Sequence, residues 1–200
     1  MYIKKTLQTY LNDLSARKPI PGGGSASALI GANGAALVLM VAEFSQKNQQ
    51  LAAIIKEAKK SKTVFSSFID KDIKEYKKVA LAYKKPTKNA AQIIVRKKAI
   101  CQALISALKV SEDICNLCYK GIKLSLSLVQ VGNKNLISDT AISSLFFETA
   151  FKSSFYNVKI NLKCLKDNKF TQLKKTKYKN IENQIVSIRK EILKSVDKIL

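Results

Sequence analysis

Residues 19–45 read PIPGGGSASALIGANGAALVLMVAEFS, and this stretch decides the fold. Two prolines restrict the backbone at its start, and Gly22, Gly23 and Gly24 then permit positive φ and carry no Cβ that would obstruct a ligand. Ser25 is the predicted N-cap of a helix over the rest of the stretch. The alanines and glycines of this helix allow close approach by neighbouring helices, so we predict it at the centre of a helical bundle.

Further helices are predicted on both sides of this stretch. Apolar residues recur at helical spacing, and prolines or the VGNKN segment separate the periodic segments. The predicted helices cover residues 7–14, 49–85, 87–130 and 138–165, with a last helix carrying Ile181, Ile185, Ile188, Ile192 and Ile199. We therefore expect an all-α fold, a single domain over residues 1–200 that forms a bundle of about five to six long helices.

Composition limits the chemistry that the chain can perform. The sequence holds no histidine, which excludes Ser-His and Cys-His nucleophile pairs and imidazole metal ligands. Its four cysteines fit neither a small disulfide scaffold nor a zinc module and are predicted to be small buried hydrophobes, so no metal site is expected. The first residues lack the architecture of a signal peptide, which predicts a cytoplasmic protein. The uncharged run 26–42 is short and rich in small residues, so no membrane contact is expected.

The net charge is strongly positive. Lys and Arg number 36 against 14 Asp and Glu, which gives +22 and suggests a polyanionic partner. Only three of these cations are arginines, and the lysines are scattered through every segment rather than gathered on one stripe. This scattered distribution of lysines favours solvated helix faces over a surface that binds nucleic acid. A non-catalytic basic module that binds anions or nucleic acid is the alternative function class.

One carboxyl lies on the apolar side of a predicted helix. Asp72 is about 20° from Phe65 and about 40° from Tyr76 around the helix axis, whereas Asp70 is about 140° from Phe65. A carboxyl on a face directed at the core should have a raised pKa and needs a partner or a role in chemistry. Asp72 is therefore either a functional acid or a buried structural hydrogen-bonding group.

The helix predicted over residues 138–165 carries small and polar residues on one narrow face. Ser138 is its predicted N-cap, and Asp139 lies in its first turn, where the helix dipole favours a negative charge. The face is formed by Ser143, Ala150, Ser154, Asn157 and Asn161. Such a stripe in a core helix lines either a hydrogen-bonded seam between helices or a ligand groove.

Four segments together resemble a known enzyme family. The first is PIPGGGS with its small-residue helix, which is similar to the PTPGGGS signature of the formimidoyltetrahydrofolate cyclodeaminase and methenyltetrahydrofolate cyclohydrolase family. IDKDIKEY matches the DxDxxAF/Y segment of that family, AYKKP its AYxLP loop, and GNKNLISD…NVKINL its GNxxxxSD…NVxINL segment. A glycine-rich loop alone would be weak, but four motifs in the right order are specific.

The resemblance implies an all-helical, dimeric enzyme that acts on a one-carbon-substituted tetrahydrofolate and needs no further cofactor. Such enzymes hydrolyse 5,10-methenyltetrahydrofolate to the 10-formyl form or close 5-formiminotetrahydrofolate with release of ammonia. The catalytic aspartate falls on Asp70 or Asp72 by alignment, and the helix face independently favours Asp72. The resemblance also implies binding positions at Gly22, Gly23, Gly24, Ser25, Ser138, Asp139, Asn157 and Asn161, all facing one groove.

Several positions depart from the family pattern. Lys85 stands in place of Leu, Thr87 in place of Lys, and Ser111 in place of Pro. The sequence contains no formiminotransferase domain, which tilts the prediction toward a cyclohydrolase, with a cyclodeaminase as the alternative. A homodimer is expected from the resemblance and from the uncharged surface of the helix over residues 25–47, which a two-fold contact would bury.

Overall fold

A computed structural model describes residues 1–165 and 168–200. Its helices are α1 (Leu7–Ser15), α2 (Gly23–Glu43), α3 (Gln49–Tyr83), α4 (Ala90–Val131), α5 (Ile137–Leu165) and α6 (Asn168–Val196), with 3-10 turns at Tyr2–Lys4 and Lys134–Leu136. The described residues contain no strand. The prediction of an all-α, single-domain fold with about five to six helices is confirmed for the described residues.

Helix α2 lies at the centre of the bundle and packs against α3, α4 and α5. Its glycines make room for aromatic rings: a Cβ on Gly31 would lie 2.6 Å from Cδ1 of Phe65, and one on Gly34 would lie 3.1 Å from Cε1 of Phe147. The rings of Phe65 and Phe147 stack with their centroids 6.2 Å apart. The small residues therefore serve close packing, as the sequence predicts.

By length and hydropathy alone, α2 is the one described helix able to cross a membrane, and 56% of its most apolar window is buried inside the fold. This burial agrees with a central packing helix.

Two predicted helix caps are wrong. Helix α2 begins at Gly23 with Gly22 as its N-cap and no side-chain cap bond, so Ser25 lies inside the first turn. Helix α5 begins at Ile137 rather than after Ser138, because it continues directly from the 3-10 turn Lys134–Leu136. The Asn133 side chain caps that turn instead, accepting from the Asn135 N–H at 3.0 Å.

Helices α3 and α4 extend past the rest of the bundle as a hairpin. Over residues 76–102 only Ala82 is buried, and exposed apolar residues include Leu81 and Ile94. Cys101, predicted as a buried hydrophobe, is therefore exposed, and so is Ile94 on the same face of α4, because no other described helix covers this part of the hairpin. Cys115 and Cys118 are fully buried as expected, whereas Cys101 and Cys164 are exposed. The base of the hairpin forms one wall of the cavity described next.

Candidate active site

A cavity of about 360 Å³ lies where the turn before α2 meets α3, α4 and the C-terminal turns of α5. This volume is within the usual range for small-molecule sites. Its lining combines a glycine turn, one carboxyl, two tyrosines and two amides: Pro19, Ile20, Gly22, Gly23, Gly24, Asp72, Tyr76, Val79, Tyr83, Leu104, Ala107, Ser111, Asn157, Ile160, Asn161 and Cys164. No lysine or arginine is among these residues, so the carboxyl of Asp72 is the charge-bearing group of the lining at neutral pH.

The side chain of Asp72 is half-buried against the beginning of α2. Burial raises the pKa of this carboxyl to about 6, while the backbone N–H of Ser25 partly opposes the shift by donating to the carboxylate. That N–H is one of the first-turn donors for which a helix has no internal acceptor. Asp72 is therefore held at a helix N-terminus with a pKa close to neutrality, as a proton-transferring group requires.

A buried hydroxyl pair supports this arrangement from behind. The Tyr10 hydroxyl donates to Oγ of Ser25 at 3.2 Å, and both residues are buried. Burial raises the pKa of Tyr10, and the nearby Asp72 carboxylate contributes in the same direction. The side chain of Ser25 is thus committed to Tyr10, and its backbone rather than its hydroxyl serves Asp72.

Asp70 has a different environment although it is only two residues away. Its carboxylate accepts from the backbone N–H of Tyr2 at 2.6 Å and from that of Ile3 at 3.2 Å. These bonds attach the N-terminal turn to α3, and Asp70 does not line the cavity. Of the two candidates left open by alignment, Asp72 is the one that faces the cavity.

The three glycines of the turn have separate surroundings. No described glycine has positive φ, so the backbone freedom expected for the turn is not used. A Cβ on Gly24 would lie 2.5 Å from Cγ and 2.8 Å from Oδ2 of Asp72, whereas a Cβ on Gly22 or Gly23 would meet nothing within 4 Å. Gly24 makes space for the carboxyl, while Gly22 and Gly23 leave space for a ligand.

The polar face of α5 divides into a seam and a groove. Near its start, Oγ of Ser143 lies 2.8 Å from Oγ of Ser125, and farther along the Ser154 hydroxyl donates to the carbonyl of Ser111 at 3.0 Å. Both pairs are buried and tie α5 to α4. Asn157 and Asn161, one and two turns later, line the cavity. The seam interpretation is confirmed for Ser143 and Ser154, whereas Asn157 and Asn161 border a cavity, where the ligand-groove interpretation stays a prediction.

Ser138 and Asp139 lie at the other end of α5. Ser138 is exposed, Asp139 is half-buried, and neither lines the cavity. Nineteen residues separate Ser138 from Asn157, which is about 28 Å along a helix. The resemblance implies one groove that contains Ser138, Asp139, Asn157 and Asn161. Within one chain this groove is not formed.

Several cavity residues are not among the predicted site residues. Tyr76 and Tyr83 continue the apolar stripe of α3 that carries Phe65, but each is nearly half exposed and lines the cavity together with Val79. Their spacing from Asp72, at four, seven and eleven residues, places all four on one helix face. A stripe that contains a carboxyl was the signal that this face borders a cavity rather than the core.

The departures from the family pattern lie in different places. Ser111 is buried and lines the cavity, whereas Lys85 lines a separate groove on the outer side of the α3–α4 hairpin. Thr87 is exposed between these helices. Of the three, only Ser111 contributes to the surface that a ligand in the cavity would contact.

Residues 6–180 match the family model described as Formiminotransferase-cyclodeaminase, and the chain belongs to this family. A methenyltetrahydrofolate cyclohydrolase of Methylorubrum extorquens is 30% identical over 175 residues, 84% of each chain. A formimidoyltransferase-cyclodeaminase of Rattus norvegicus is 27% identical over 179 residues, which are 84% of this chain and 32% of that protein.

The fold also has a counterpart among solved structures. A crystal structure of formiminotetrahydrofolate cyclodeaminase from Thermotoga maritima superposes with a TM-score of 0.87 and 26% sequence identity, covering 100% of this chain and 99% of the other. The chain spans about a third of the length of the bifunctional relatives and nearly all of this free-standing one. The resemblance seen in the four sequence motifs is confirmed.

Proposed function

We propose that the protein is a folate one-carbon enzyme that hydrolyses 5,10-methenyltetrahydrofolate to 10-formyltetrahydrofolate, with Asp72 as the proton carrier. The observation that carries this proposal is the Asp72 carboxyl, with a pKa of about 6, in a cavity beside a glycine turn. The cyclohydrolase relative, 30% identical over 84% of both chains, supports the choice of reaction.

The charge of the cavity suits this substrate. The methenyl carbon belongs to an amidinium cation, and the lining offers a carboxylate and no lysine or arginine. A bound cation near Asp72 favours its ionised form and so lowers the pKa of the carboxyl in the complex. The carboxylate therefore becomes available as a base when the electrophile is in place.

The hydrolysis needs one water molecule and one group that first accepts and then donates a proton. Water attacks the methenyl carbon, a C–O bond forms, and the Asp72 carboxylate accepts a proton from the water. The bond between this carbon and ring nitrogen N5 then breaks, and N5 receives the proton from Asp72. The remaining hydroxyl proton passes to solvent, which leaves a formyl group on N10 and one proton released in total.

The other lining residues have binding roles in this proposal. The exposed backbone at Gly22 and Gly23 lets a flat pterin ring approach the turn, and the rings of Tyr76 and Tyr83 offer apolar faces to it. The amides of Asn157 and Asn161 provide donors and acceptors for the pterin edge. No metal and no cofactor beyond the tetrahydrofolate substrate takes part.

Formimidoyltetrahydrofolate cyclodeaminase activity is the second candidate. The names of the Rattus norvegicus relative and the Thermotoga maritima structure favour it. In this direction N10 attacks the formimino carbon, Asp72 accepts the N10 proton and donates it to the departing nitrogen, and ammonia leaves. The same carboxyl would serve this lyase reaction, so ammonia release from 5-formiminotetrahydrofolate separates the candidates.

Replacing the carboxyl tests the proposal. Asp72→Asn nearly preserves shape and removes the titratable group, so hydrolysis of 5,10-methenyltetrahydrofolate, followed by its near-ultraviolet absorbance, should fall by about two to four orders of magnitude. The matched control is Asp70→Asn, which changes a structural carboxylate outside the cavity. If Asp72→Asn retains near-normal turnover while Asp70→Asn loses it, the assignment is wrong.

A cytoplasmic homodimer completes the proposal. Helix α2 and its C-cap Phe44 keep an incompletely buried, mostly apolar stripe that also contains Ile30, Asn33, Leu37 and Met40, and a two-fold contact would cover it. Light scattering should give twice the 22.2 kDa chain mass, and a monomer at micromolar concentration would contradict this.

A protein without turnover that binds RNA with steep salt dependence would instead support the basic-module alternative.

A further inference from the structure

A tyrosine outside the cavity lies directly behind its carboxyl. Tyr10 is on α1, is 5% exposed and does not line the cavity. Its hydroxyl donates to Oγ of Ser25 at 3.2 Å, and Ser25 is fully buried in the first turn of α2. Because the backbone N–H of Ser25 donates to Asp72, a single residue connects the Tyr10 hydroxyl to the carboxyl in the cavity.

Ser25 and Ser27 use their hydroxyls differently, although both lie near the start of α2. The Ser27 hydroxyl donates to the carbonyl of Gly23 at 2.7 Å, four residues back in the same helix, as serines within helices often do. The Ser25 hydroxyl is instead engaged by Tyr10 from another helix. Ser25 thus serves two groups at once, since its side chain accepts from Tyr10 and its main chain donates to Asp72.

No charged neighbour among the described residues determines the proton affinity of Asp72, because burial and the Ser25 N–H are the causes of its pKa of about 6. The titratable side chains around the carboxyl are Tyr10 behind it, Tyr76 and Tyr83 on its own helix, and Cys164 at the end of α5. The turn before α2 and helix α4 contribute no titratable side chain to the lining. Phenols and thiols are uncharged near pH 6. Adding a hydrogen-bond donor to this carboxylate would therefore lower its pKa directly.

We infer that Tyr10 is a positioning residue for Asp72, because it holds the Ser25 hydroxyl and keeps this second donor away from the carboxylate. The inference rests on the proposed function, which makes Asp72 the proton carrier. Without the Tyr10 hydroxyl, the Ser25 side chain is free to take another rotamer and to donate to Asp72. Such a bond stabilises the charged carboxylate, so Asp72 becomes a weaker base at neutral pH.

Removing the Tyr10 hydroxyl tests the inference. Tyr10→Phe keeps the ring in the core, and carbon-13 NMR of the full, aspartate-labelled chain measures the pKa of Asp72 without substrate. This pKa should fall by about one pH unit, the effect of one hydrogen bond to a charged group. The acid limb of kcat/KM for hydrolysis of 5,10-methenyltetrahydrofolate should move by the same amount. A merely structural role of Tyr10 would lower the Tm and move neither the pKa nor the pH profile.

Tyr2→Phe is the matched control. The Tyr2 hydroxyl donates to Asp13 at 2.8 Å rather than to Ser25, and the Tyr2 ring packs edge-to-face on Tyr10 with the centroids 5.7 Å apart. This variant removes a phenolic hydroxyl from the same N-terminal segment, so the pKa of Asp72 should not change. A second variant combines Tyr10→Phe with Ser25→Ala. It also removes the hydroxyl that Tyr10→Phe releases, so the pKa of Asp72 should return to about 6.

The outcomes separate this inference from the proposed function. An unchanged pKa of Asp72 in Tyr10→Phe overturns the inference, as does the same fall in Tyr2→Phe. A pKa that falls in Tyr10→Phe and stays low in the Tyr10→Phe, Ser25→Ala protein also overturns it, because the Ser25 hydroxyl is then not the cause. If the titrations agree with the inference but 5,10-methenyltetrahydrofolate is not hydrolysed, the role of Tyr10 stands and the proposed reaction fails. If hydrolysis follows the ionisation of Asp72 and Tyr10→Phe leaves the pH profile unchanged, the reaction stands and the inference fails.

Discussion

The two ends of the bundle are both rich in polar residues, but they use them differently. At the cap end, residues 131–139, the Asn133 N–H donates to Oγ of Ser45 at 2.8 Å and its side-chain amide donates to the carbonyl of Phe44 at 2.9 Å. At the cavity end, formed by residues 19–24, Asp72 and the last turns of α5, the Asp72 carboxyl receives a backbone N–H of α2 and faces open space.

The difference shows which polar motif is structural and which is available for chemistry. Asn133 and Ser45 satisfy one another, so the cap end closes the connection between α2, α4 and α5. The Asp72 carboxyl accepts a hydrogen bond from the backbone N–H of Ser25, which offsets only part of the effect of burial, and its pKa is raised to about 6. The sequence places polar residues at both ends of the bundle. The two ends differ in whether these side chains have hydrogen-bonding partners within the protein.

Among changes that leave the Asp72 carboxyl in place, a substitution at Gly24 at the cavity end should have the largest effect. The Cβ of Gly24→Ala overlaps the carboxyl of Asp72 and forces it away from the Ser25 N–H, so turnover should fall by about a hundredfold with the fold retained. Gly23→Ala is the matched control, since its Cβ meets nothing. It should raise the KM for the folate severalfold at an unchanged Tm, because its methyl enters the cavity.

Two results would contradict this part of the account. Equal turnover of the Gly24→Ala and wild-type proteins would mean that the position of Asp72 against α2 is unimportant. A sharp drop in the Tm of Gly23→Ala, with normal binding and turnover by the remaining folded protein, would make the turn architectural and remove its residues from the site.

The raised pKa of Asp72 also predicts a pH-dependent stability. Because the folded pKa of about 6 exceeds the ordinary value of 3.8, the folded state holds the proton more tightly between these values, and stability falls as pH rises through this window. Asp72→Asn avoids the buried charge, so it should be more stable than wild type by about 2 kcal/mol at pH 7.5 and equal near pH 4. Urea unfolding at both pH values checks this, and equal stability at pH 7.5 would argue against the shift.

Changes at the cap end should have the smallest effect on a single chain's site. Ser138→Ala and Asp139→Asn alter residues about 28 Å from Asn157 along α5, so KM and kcat should remain within about twofold of wild type, the usual range for surface substitutions. A tenfold loss of turnover in either variant, with unchanged Tm, would show that this end contributes to a site formed with a second copy.

The sequence predicts much of the fold because its signals are local and repeated. Apolar spacing and prolines define five long helices within a few residues, and the small residues of α2 predict its central position. The caps at Ser25 and Ser138 are predicted wrongly because a serine before an apolar run also fits inside a first turn. The sequence does not predict the exposure of Ile94, since periodicity identifies an apolar face but not whether another helix covers it.

Part of the candidate site is also predictable from the sequence, because its signals are local positions on a helix face. Asp72 is identified because helix geometry fixes its angle to Phe65, and Asn157 and Asn161 because they share the stripe of Ser154. Tyr76 and Tyr83 are not identified as site residues from the sequence, because aromatic residues on an apolar stripe are typical of both a core and a cavity wall. The stripe borders a cavity because the glycine turn before α2 is its neighbour in the fold. The spacing of apolar residues along the sequence does not show which segment packs against them.

Titration of the Asp72 carboxyl tests the central claim most directly. Carbon-13 NMR of aspartate-labelled protein, with the resonance assigned by its loss in Asp72→Asn, should give a pKa of about 6 for the free protein. In parallel, kcat/KM for hydrolysis of 5,10-methenyltetrahydrofolate should fall tenfold per pH unit below about 6, because the base is then protonated. A carboxyl that titrates near its ordinary value of 3.8, or a pH profile without an inflection near the measured pKa, would contradict Asp72 as the proton carrier.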